Sequence, residues 1–234
     1  MKTIIAIPTY NESLNIEELI RQVFRYVPDT SILIVDDSSP DGTGQIVRNL
    51  QKEFTTLELY ERPHKMGLGS AYVETFEKAI KNQVDAVITM DADFSHDPKY
   101  LPEMIRILES EDVVIGSRYI PGGGTGGWNA WRKFLSKYGN KYYRFITRIP
   151  IHDCSGGFNG IRINMLKKLD FPFLLTFKGY SWQLAFRFSL YKLDARMKEI
   201  PIFFRNRVKG QSKLSNQIIR EALLTPWRLI FRKS

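Results

Sequence analysis

Two carboxylates separated by one residue, Asp91-Ala92-Asp93, follow the apolar run Ala86-Val87-Ile88-Thr89-Met90. Side chains two positions apart beyond a strand end point to the same side. Both acids can therefore enter one crevice and hold a divalent cation. Hard oxygen donors favour Mg²⁺ or Mn²⁺, with phosphate oxygens of a substrate completing the shell. Alone, an Asp-x-Asp is equally a solvated turn. Two further segments add weight. Asp36-Asp37 again places acid at the end of an apolar run, and Pro8-Thr9-Tyr10-Asn11-Glu12 adds an aromatic face and hydrogen-bonding groups after the first.

These segments need a scaffold that gathers them. Short β-branched runs at 3–8, 31–36, 57–61, 86–90 and 112–116 predict strands. Amphipathic stretches at about 12–27, 41–54, 68–82 and 97–109 predict helices; Leu14, Leu19, Ile20, Val23 and Phe24 carry the helical period in the first. Strands alternating with helices predict an α/β fold with a mainly parallel sheet covered on both faces. Ligands in such folds sit beyond the carboxyl ends of the strands, where all three segments fall. No linker or internal repeat divides the chain, so residues 1–234 are expected to form one domain.

The second half is more irregular. Five of the six residues 122–127 are glycine, which suits a solvated loop or a hinge over an active site. Residues 131–148 predict a helix with three faces, at about 100° per residue. Trp131, Phe134, Leu135, Tyr138, Tyr142 and Phe145 share one side, expected to pack on the core. Lys133, Lys137, Lys141, Arg144 and Arg148 share a narrow arc that no acidic residue interrupts, as a phosphate or anionic-lipid surface requires. Arg132, Ser136 and Asn140 form a third row. The aromatic residues at 171–188 read as core, with a lipid-facing groove as the alternative.

The segments PTYNE at 8–12, VDDSSPDGT at 35–43, MGLGSAY at 66–72, MDADFSHDP at 90–98, GSRY at 116–119 and RVKGQSKL at 207–214 occur in this order. Together they resemble the polyprenol (dolichyl) phosphate mannose synthases of glycosyltransferase family 2, over essentially the whole chain. The resemblance implies a GT-A fold and inverting, metal-dependent transfer of a hexose from a nucleotide sugar to a polyprenyl phosphate. Mannose from GDP-mannose is the first expectation; UDP-glucose as donor, or a saccharide hydroxyl as acceptor, are the alternatives. It also implies that residues 1–118 bind the nucleotide sugar. Residues 119–234 would then bind the acceptor and end in an amphipathic segment.

Carried over residue by residue, the resemblance puts nucleotide-sugar contacts on Pro8, Tyr10, Glu12, Val35, Asp37, Asp91, Ala92, Asp93, Arg118, Arg207 and Lys213. The metal falls on Asp91 and Asp93 with Ser95 as a weaker third ligand, and the acceptor phosphate on Arg118, Arg132 and Ser136. Asp91, Asp93, Arg118, Arg132 and Lys213 are the expected catalytic set, with a closing loop around Gly210. Two positions depart from the pattern. Asn159 stands where relatives often carry Arg, and Ala185 where they commonly carry a carboxylate. A sugar hydroxyl acceptor needs a base to take its proton, whereas a phosphate monoester is already ionised at neutral pH. The missing carboxylate is therefore compatible with a phosphate acceptor.

Composition narrows the partners. Thirty-four Lys and Arg against 25 acidic residues give +9, which points to anionic partners. Nucleic acid is not expected, because no groove-reading motif accompanies the charge. A single cysteine, Cys154, excludes an internal disulfide and a thiolate metal cage, and fits a reducing compartment. His64, His96 and His152 are scattered, and only His96 lies beside the acidic pair, as a positioning residue. No signal-peptide pattern opens the chain, and no stretch approaches the roughly 18 apolar residues of a membrane span. The expected location is cytoplasmic, peripheral on an anionic membrane through the basic arc and the tail 227–233, with a separate membrane subunit as a further anchor.

Overall fold

The computed structural model describes residues 1–205 and 216–232. Its elements run β1 (Thr3–Thr9), α1 (Ile16–Tyr26), β2 (Ser31–Asp36), α2 (Thr43–Leu50), β3 (Leu57–Glu61), α3 (Leu68–Lys81) and β4 (Ala86–Thr89). There follow α4 (Leu101–Ile107), β5 (Val113–Ser117), β6 (Gly124–Thr125), α5 (Ala130–Thr147), β7 (Asn159–Arg162), α6 (Ile163–Leu166) and α7 (Phe171–Leu174). The chain closes with α8 (Gly179–Lys192), β8 (Met197–Pro201), β9 (Phe203–Phe204) and α9 (Asn216–Ile230).

Strand alternation builds two apolar layers. Ile5 and Ile7 face one side of the sheet with Ile32 and Ile34, against Leu19, Ile20 and Val23 of α1. Ile4 and Ala6 face the other with Leu33 and Val35, against Tyr72 and Phe76 of α3 and Trp182 and Phe186 of α8. Burial on both faces is why these strands read as continuous apolar runs. The main sheet has the order β3-β2-β1-β4-β7-β5-β8. All its strands run parallel except β7, which lies antiparallel between β4 and β5.

The four-residue β7 is too short to read from sequence, yet it organises the site. Its first residue, Asn159, pairs with Thr89 on β4 and Ile115 on β5. The preceding segment, residues 153–158, is thereby set beside the carboxyl end of β4.

The glycine-rich run is neither a solvated loop nor a free hinge. Gly124–Thr125 pairs in parallel with Phe203–Phe204. At Gly123 a Cβ would fall 2.6 Å from the Ser117 carbonyl oxygen, so close backbone approach excludes a side chain there.

Helix α5 departs furthest from expectation. Its buried positions are Asn140, Tyr143 and Thr147, whereas Trp131 (65%), Phe134 (49%), Tyr138 (50%) and Phe145 (69%) stand exposed. The aromatic side faces away from the core. The reason is tertiary: the polar row Arg132, Ser136 and Asn140 turns toward the 153–158 segment, where Asn140 accepts the Cys154 N–H at 2.7 Å. Helix α9 packs beside α5 and α8 and exposes Leu223, Leu224 and Trp227, with Phe231 exposed just beyond its end. By contrast most aromatics of 171–188 are core residues: Phe177, Trp182, Phe186 and Phe188 are buried and Phe171 and Phe173 partly so, whereas Tyr180 is exposed and lines a cavity.

Candidate active site

Successive units extend the sheet from β1 to β2 and β3, after which the chain crosses back to add β4 on the other side of β1. The crevice at such a reversal is the usual ligand site of an open α/β sheet. Residues 8–12, 36–39 and 91–95 surround it.

On the β1–β2 side, Tyr10 is exposed and the Lys65 ammonium lies 3.5 Å from its ring centroid. The Glu12 N–H donates to the Thr43 hydroxyl (3.0 Å), and its carboxylate accepts the Asn15 side-chain amide (3.0 Å). These bonds pin the first loop to α1 and α2. Asp36 is committed internally, accepting the Thr9 and Ser39 hydroxyls at 2.7 and 2.6 Å. Asp37 instead pairs with the buried Arg62 at 2.8 Å, which fixes the carboxylate at the crevice edge. The Val35 and Ala92 side chains belong to the core, so only their main-chain atoms can serve a ligand. Pro8 lies in register with Val35 near the end of β1.

At the end of β4, Asp91 is half-buried and Asp93 buried, with the Asp93 carboxylate accepting the Ser95 N–H at 3.1 Å. The Ser95 hydroxyl is buried without a hydrogen-bond partner. Among the described residues no three His, Cys, Asp or Glu side chains form a closed metal cage. Two carboxylates beside an unsatisfied hydroxyl fit a hard divalent cation that takes its remaining ligands from a diphosphate.

His96 accepts the Asp91 N–H at Nδ1 (2.9 Å), leaving the proton on Nε2, 3.9 Å from Asp91 Oδ2. Burial holds its pKa below the ordinary value despite the pull of Asp91 and Asp93. The ring stacks on Phe158 and meets Phe204 edge-on. His96 thus holds the main chain of the acidic turn as a neutral hydrogen-bonding group.

Phe204 also touches the second half of the site, lying 5.4 Å from the Arg118 guanidinium. Arg118 forms a fork on Asp153 (2.6 and 2.7 Å), and its N–H donates to the same carboxylate (3.0 Å). Burial alone would raise the Asp153 pKa, but the Arg118 charge and hydrogen bonds overcome this and bring it to about 2. Arg118 Nη2 also donates to Ser155 (2.9 Å), and Trp128 and Tyr119 flank the cation. Arg118, Arg132 and Ser136 line one cavity of about 400 Å³, whose walls continue through Tyr138, Leu184 and Leu223. Arg132 lies over the Trp128 ring at 4.2 Å, and the Tyr119 hydroxyl donates to Ser136 at 2.5 Å.

The structure therefore brings together Asp91, Asp93 and Ser95 at one point, and Arg118, Arg132 and Ser136 at another. Arg207, Gly210 and Lys213 lie outside the described residues. Sequence reasoning missed Asp153, Ser155, Trp128 and Arg187. The only advance signal for Asp153 was the resemblance to the family, in which the stretch leading to position 159 commonly begins with Asp. Arg187 lies in an aromatic run on α8. Its guanidinium is buried, donating to the carbonyls of Asp153 and Gly156 and to the Asn159 side-chain oxygen. Burial pulls its pKa down from the usual arginine value. Ala185, on the same helix, is fully buried. Cys154 is buried too, and burial pushes its thiol up to about 12, away from the thiolate form that reactive cysteines use.

Comparison with known proteins extends the description. The family model Glycosyl transferase family 2 matches residues 4–170. The undecaprenyl-phosphate mannosyltransferase of Micrococcus luteus is 35% identical over 234 residues, covering 99% of this chain and 96% of its own. The polyprenol monophosphomannose synthase of Mycolicibacterium smegmatis is 36% identical over 224 residues, covering 95% and 84%. Among solved structures, the mannosyltransferase PcManGT from Pyrobaculum calidifontis, in complex with GDP-Man and Mn²⁺, is 18% identical with a TM-score of 0.63. All of this chain and 65% of that one are covered. S. aureus TarS residues 1–349, in complex with UDP-GlcNAc, gives 18% and 0.68, covering 100% and 68%. The structural likenesses establish the GT-A fold, and the matched family model and the two close relatives show that this chain belongs to glycosyl transferase family 2.

Proposed function

We propose that this glycosyltransferase moves mannose from GDP-mannose to a polyprenyl phosphate, giving a β-linked lipid phosphate sugar. What supports it is one juxtaposition. The acidic pair at the sheet reversal and an arginine-headed apolar cavity lie on either side of Phe204, which touches both His96 and Arg118. The two relatives are named as an undecaprenyl-phosphate mannosyltransferase and a polyprenol monophosphomannose synthase.

Asp91, Asp93 and Ser95 would hold Mg²⁺ or Mn²⁺, which supplies charge neutralisation to the departing nucleoside diphosphate. Tyr10, with Pro8 and the main chain of Val35, offers a face for the base, while Asp37 and Glu12 offer acceptors for its polar edge or the ribose. Arg207 and Lys213 are assigned to the donor phosphates by sequence alone. Residues 1–118 would then supply most of the donor site and residues 119–234 most of the acceptor site, with Arg118, Arg207 and Lys213 as the exceptions.

Arg118 and Arg132 orient the acceptor phosphate, with the Ser136 hydroxyl as a further partner. Arg118 is pre-set by Asp153, so it need not reorganise as charge moves. Leu135, Tyr138 and Leu184 take the first isoprene units. Attack by an ionised phosphate oxygen in line with the leaving group inverts the anomeric carbon and needs no protein base, consistent with Ala185.

The cavity reaches Phe134, Tyr138 and Leu223, which are all exposed. Beside them Trp131 stacks on Phe134, and Lys133, Lys137 and Lys141 are exposed on the same helix. Such an aromatic patch with basic flanks suits docking on an anionic bilayer. A lipid phosphate could then reach Arg118 without leaving the membrane. No helix of the described residues is long and apolar enough to cross a membrane. Docking on the cytoplasmic face, with or without a separate anchor subunit, completes the proposal.

The test offers purified protein GDP-mannose or UDP-glucose, polyprenyl phosphate or neutral polyprenol, and Mg²⁺, Mn²⁺ or EDTA. A metal-dependent mannolipid with a β linkage, formed from the phosphate alone, is the expected product. Efficient transfer to polyprenol, or an α-linked product, would overturn the mechanism.

A further inference from the structure

Arg187 carries a full charge into the interior, yet among the described residues no carboxylate ion-pairs with it. The nearby Asp153 carboxylate is occupied by Arg118. Instead the guanidinium of Arg187 donates to main-chain carbonyls at both ends of one short stretch, Asp153 and Gly156, and to the side-chain oxygen of Asn159, the first residue of β7. A buried fork with two of its donors on main-chain carbonyls fixes the course of that backbone.

The stretch so fixed touches both halves of the site. Asp153 and Ser155 hold Arg118. Gly157 accepts the Thr89 hydroxyl through its carbonyl at 2.6 Å, and a Cβ there would meet Asp91 Oδ1 and His96 Cε1 at 3.4 Å. Asp91 and Arg118 are therefore joined through residues 153–157, which Arg187 ties down. The family resemblance implies an arginine at position 159, where this chain has Asn, and a carboxylate at position 185, where it has Ala. Both departures lie on the elements that meet at Arg187.

We propose that Arg187 is a positioning residue for transfer. Reaching from α8, it locks residues 153–157 and so sets the placement of Arg118 relative to Asp91, in place of a cation carried on β7. The inference rests on the proposed transfer to polyprenyl phosphate. It predicts that removing Arg187 lets Arg118 and Asp91 drift apart, damaging turnover and acceptor use together while nucleotide binding on the β1–β2 side stays intact.

The experiment measures kcat, acceptor KM, GDP affinity and thermal midpoint for the purified full chain and three variants. Arg187→Leu should lose about 10–100-fold in kcat/KM for polyprenyl phosphate, the usual effect of removing a residue that orients a metal or phosphate ligand. Its GDP affinity in the absence of metal should change less than threefold. Arg187→Lys, which keeps the charge but not the fork, should fall between Arg187→Leu and wild type. The triple variant Asn159→Arg, Ala185→Glu, Arg187→Leu returns the cation to β7 with a carboxylate opposite, and should recover most of the lost kcat.

A lower thermal midpoint in Arg187→Leu with unchanged kcat/KM per folded molecule would overturn the proposal, leaving Arg187 a stability residue. If Arg187→Leu does not fold, wild-type kinetics in Arg187→Lys together with an inactive but folded triple variant would overturn it equally. Failure of the wild type to use polyprenyl phosphate would instead refute the proposed function. In that case Mn²⁺ affinity across the same variants still reads the placement of Asp91, and equal affinity in all of them would refute the positioning role.

Discussion

Replacing Asp153 by Asn keeps the shape of the side chain and removes the charge that pairs with the buried Arg118 guanidinium. Asp153 is fully buried and receives three N–H bonds from Arg118, with further ones from the Ser155 and Gly156 main chain. Its carboxyl is held at about 2, below an ordinary value of 3.8. By linkage, that difference corresponds to roughly 2–3 kcal/mol of stability from the ionised form alone. The amide loses more. It leaves Arg118 buried without a counter-ion, and breaking such a pair from one side typically costs about 3–5 kcal/mol. The larger figure should govern, because Arg187 adds a second positive charge to the same interior. Against the roughly 5–15 kcal/mol that holds most domains together, Asp153→Asn should be folded but weakened.

Urea unfolding followed by tryptophan fluorescence reads this as a lower midpoint at an unchanged slope. The pH dependence has a definite sign. Because the folded-state pKa is depressed, the wild-type contribution is complete above about pH 4 and disappears as pH falls toward 2. The stability difference between wild type and variant should therefore shrink in acid. A loss below about 1 kcal/mol at neutral pH, or a difference that grows on acidification, would refute the assignment of Asp153 as the counter-ion of Arg118.

The acidic pair is tested by Asp93→Ala, which should lose about 10²–10³ in rate and its response to Mn²⁺ while keeping its thermal midpoint; full activity of the folded variant in EDTA would remove the metal assignment. Arg132→Ala should raise KM for polyprenyl phosphate at least tenfold and leave GDP affinity unchanged, checked by initial rates and calorimetry. The pair Trp131→Ser, Phe134→Ser should weaken flotation with anionic vesicles about tenfold or more, each buried aromatic being worth about 1.5–3 kcal/mol. In the wild type, high salt should weaken flotation through screening of Lys133, Lys137 and Lys141.

Much of the first half was legible because both faces of its sheet are covered by local crossovers. The runs 31–36 and 57–61 became β2 and β3 without change, and the helical period at Leu19, Ile20 and Val23 marked the buried side of α1. The alternation of strands and helices then put Asp91 and Asp93 just beyond the carboxyl end of a strand, where they follow β4. It could not separate Asp36 from Asp37. Adjacent acids look alike in sequence, and only the register Thr9 to Asp36 shows that the first is consumed by hydroxyls while the second meets Arg62. The β7 strand and the Arg118–Asp153 pair were illegible for a related reason. Each depends on residues 35 or more positions apart, and neither leaves a periodic trace.

Helix α5 shows where periodicity stops informing. Its three faces were assigned correctly, since Arg132, Ser136 and Asn140 do share a row that lines one cavity. Their partners were not. A hydrophobic side normally seeks the core because burial is the dominant favourable term, and for α5 that expectation reversed. Inward positions on this helix are taken by polar groups that satisfy a polar segment: Asn140 alone serves the Cys154 N–H and the Ser136 carbonyl. A buried segment with unmet N–H groups costs more than an exposed aromatic does, so the polar row wins the interior. Trp131, Phe134 and Tyr138 are then left stacked on one another at the surface. In water that is a standing cost. On a bilayer the cost becomes a gain, and the same rotation that brings Arg132 to the phosphate turns the aromatic side outward. Site and docking face are thus two consequences of one helix orientation.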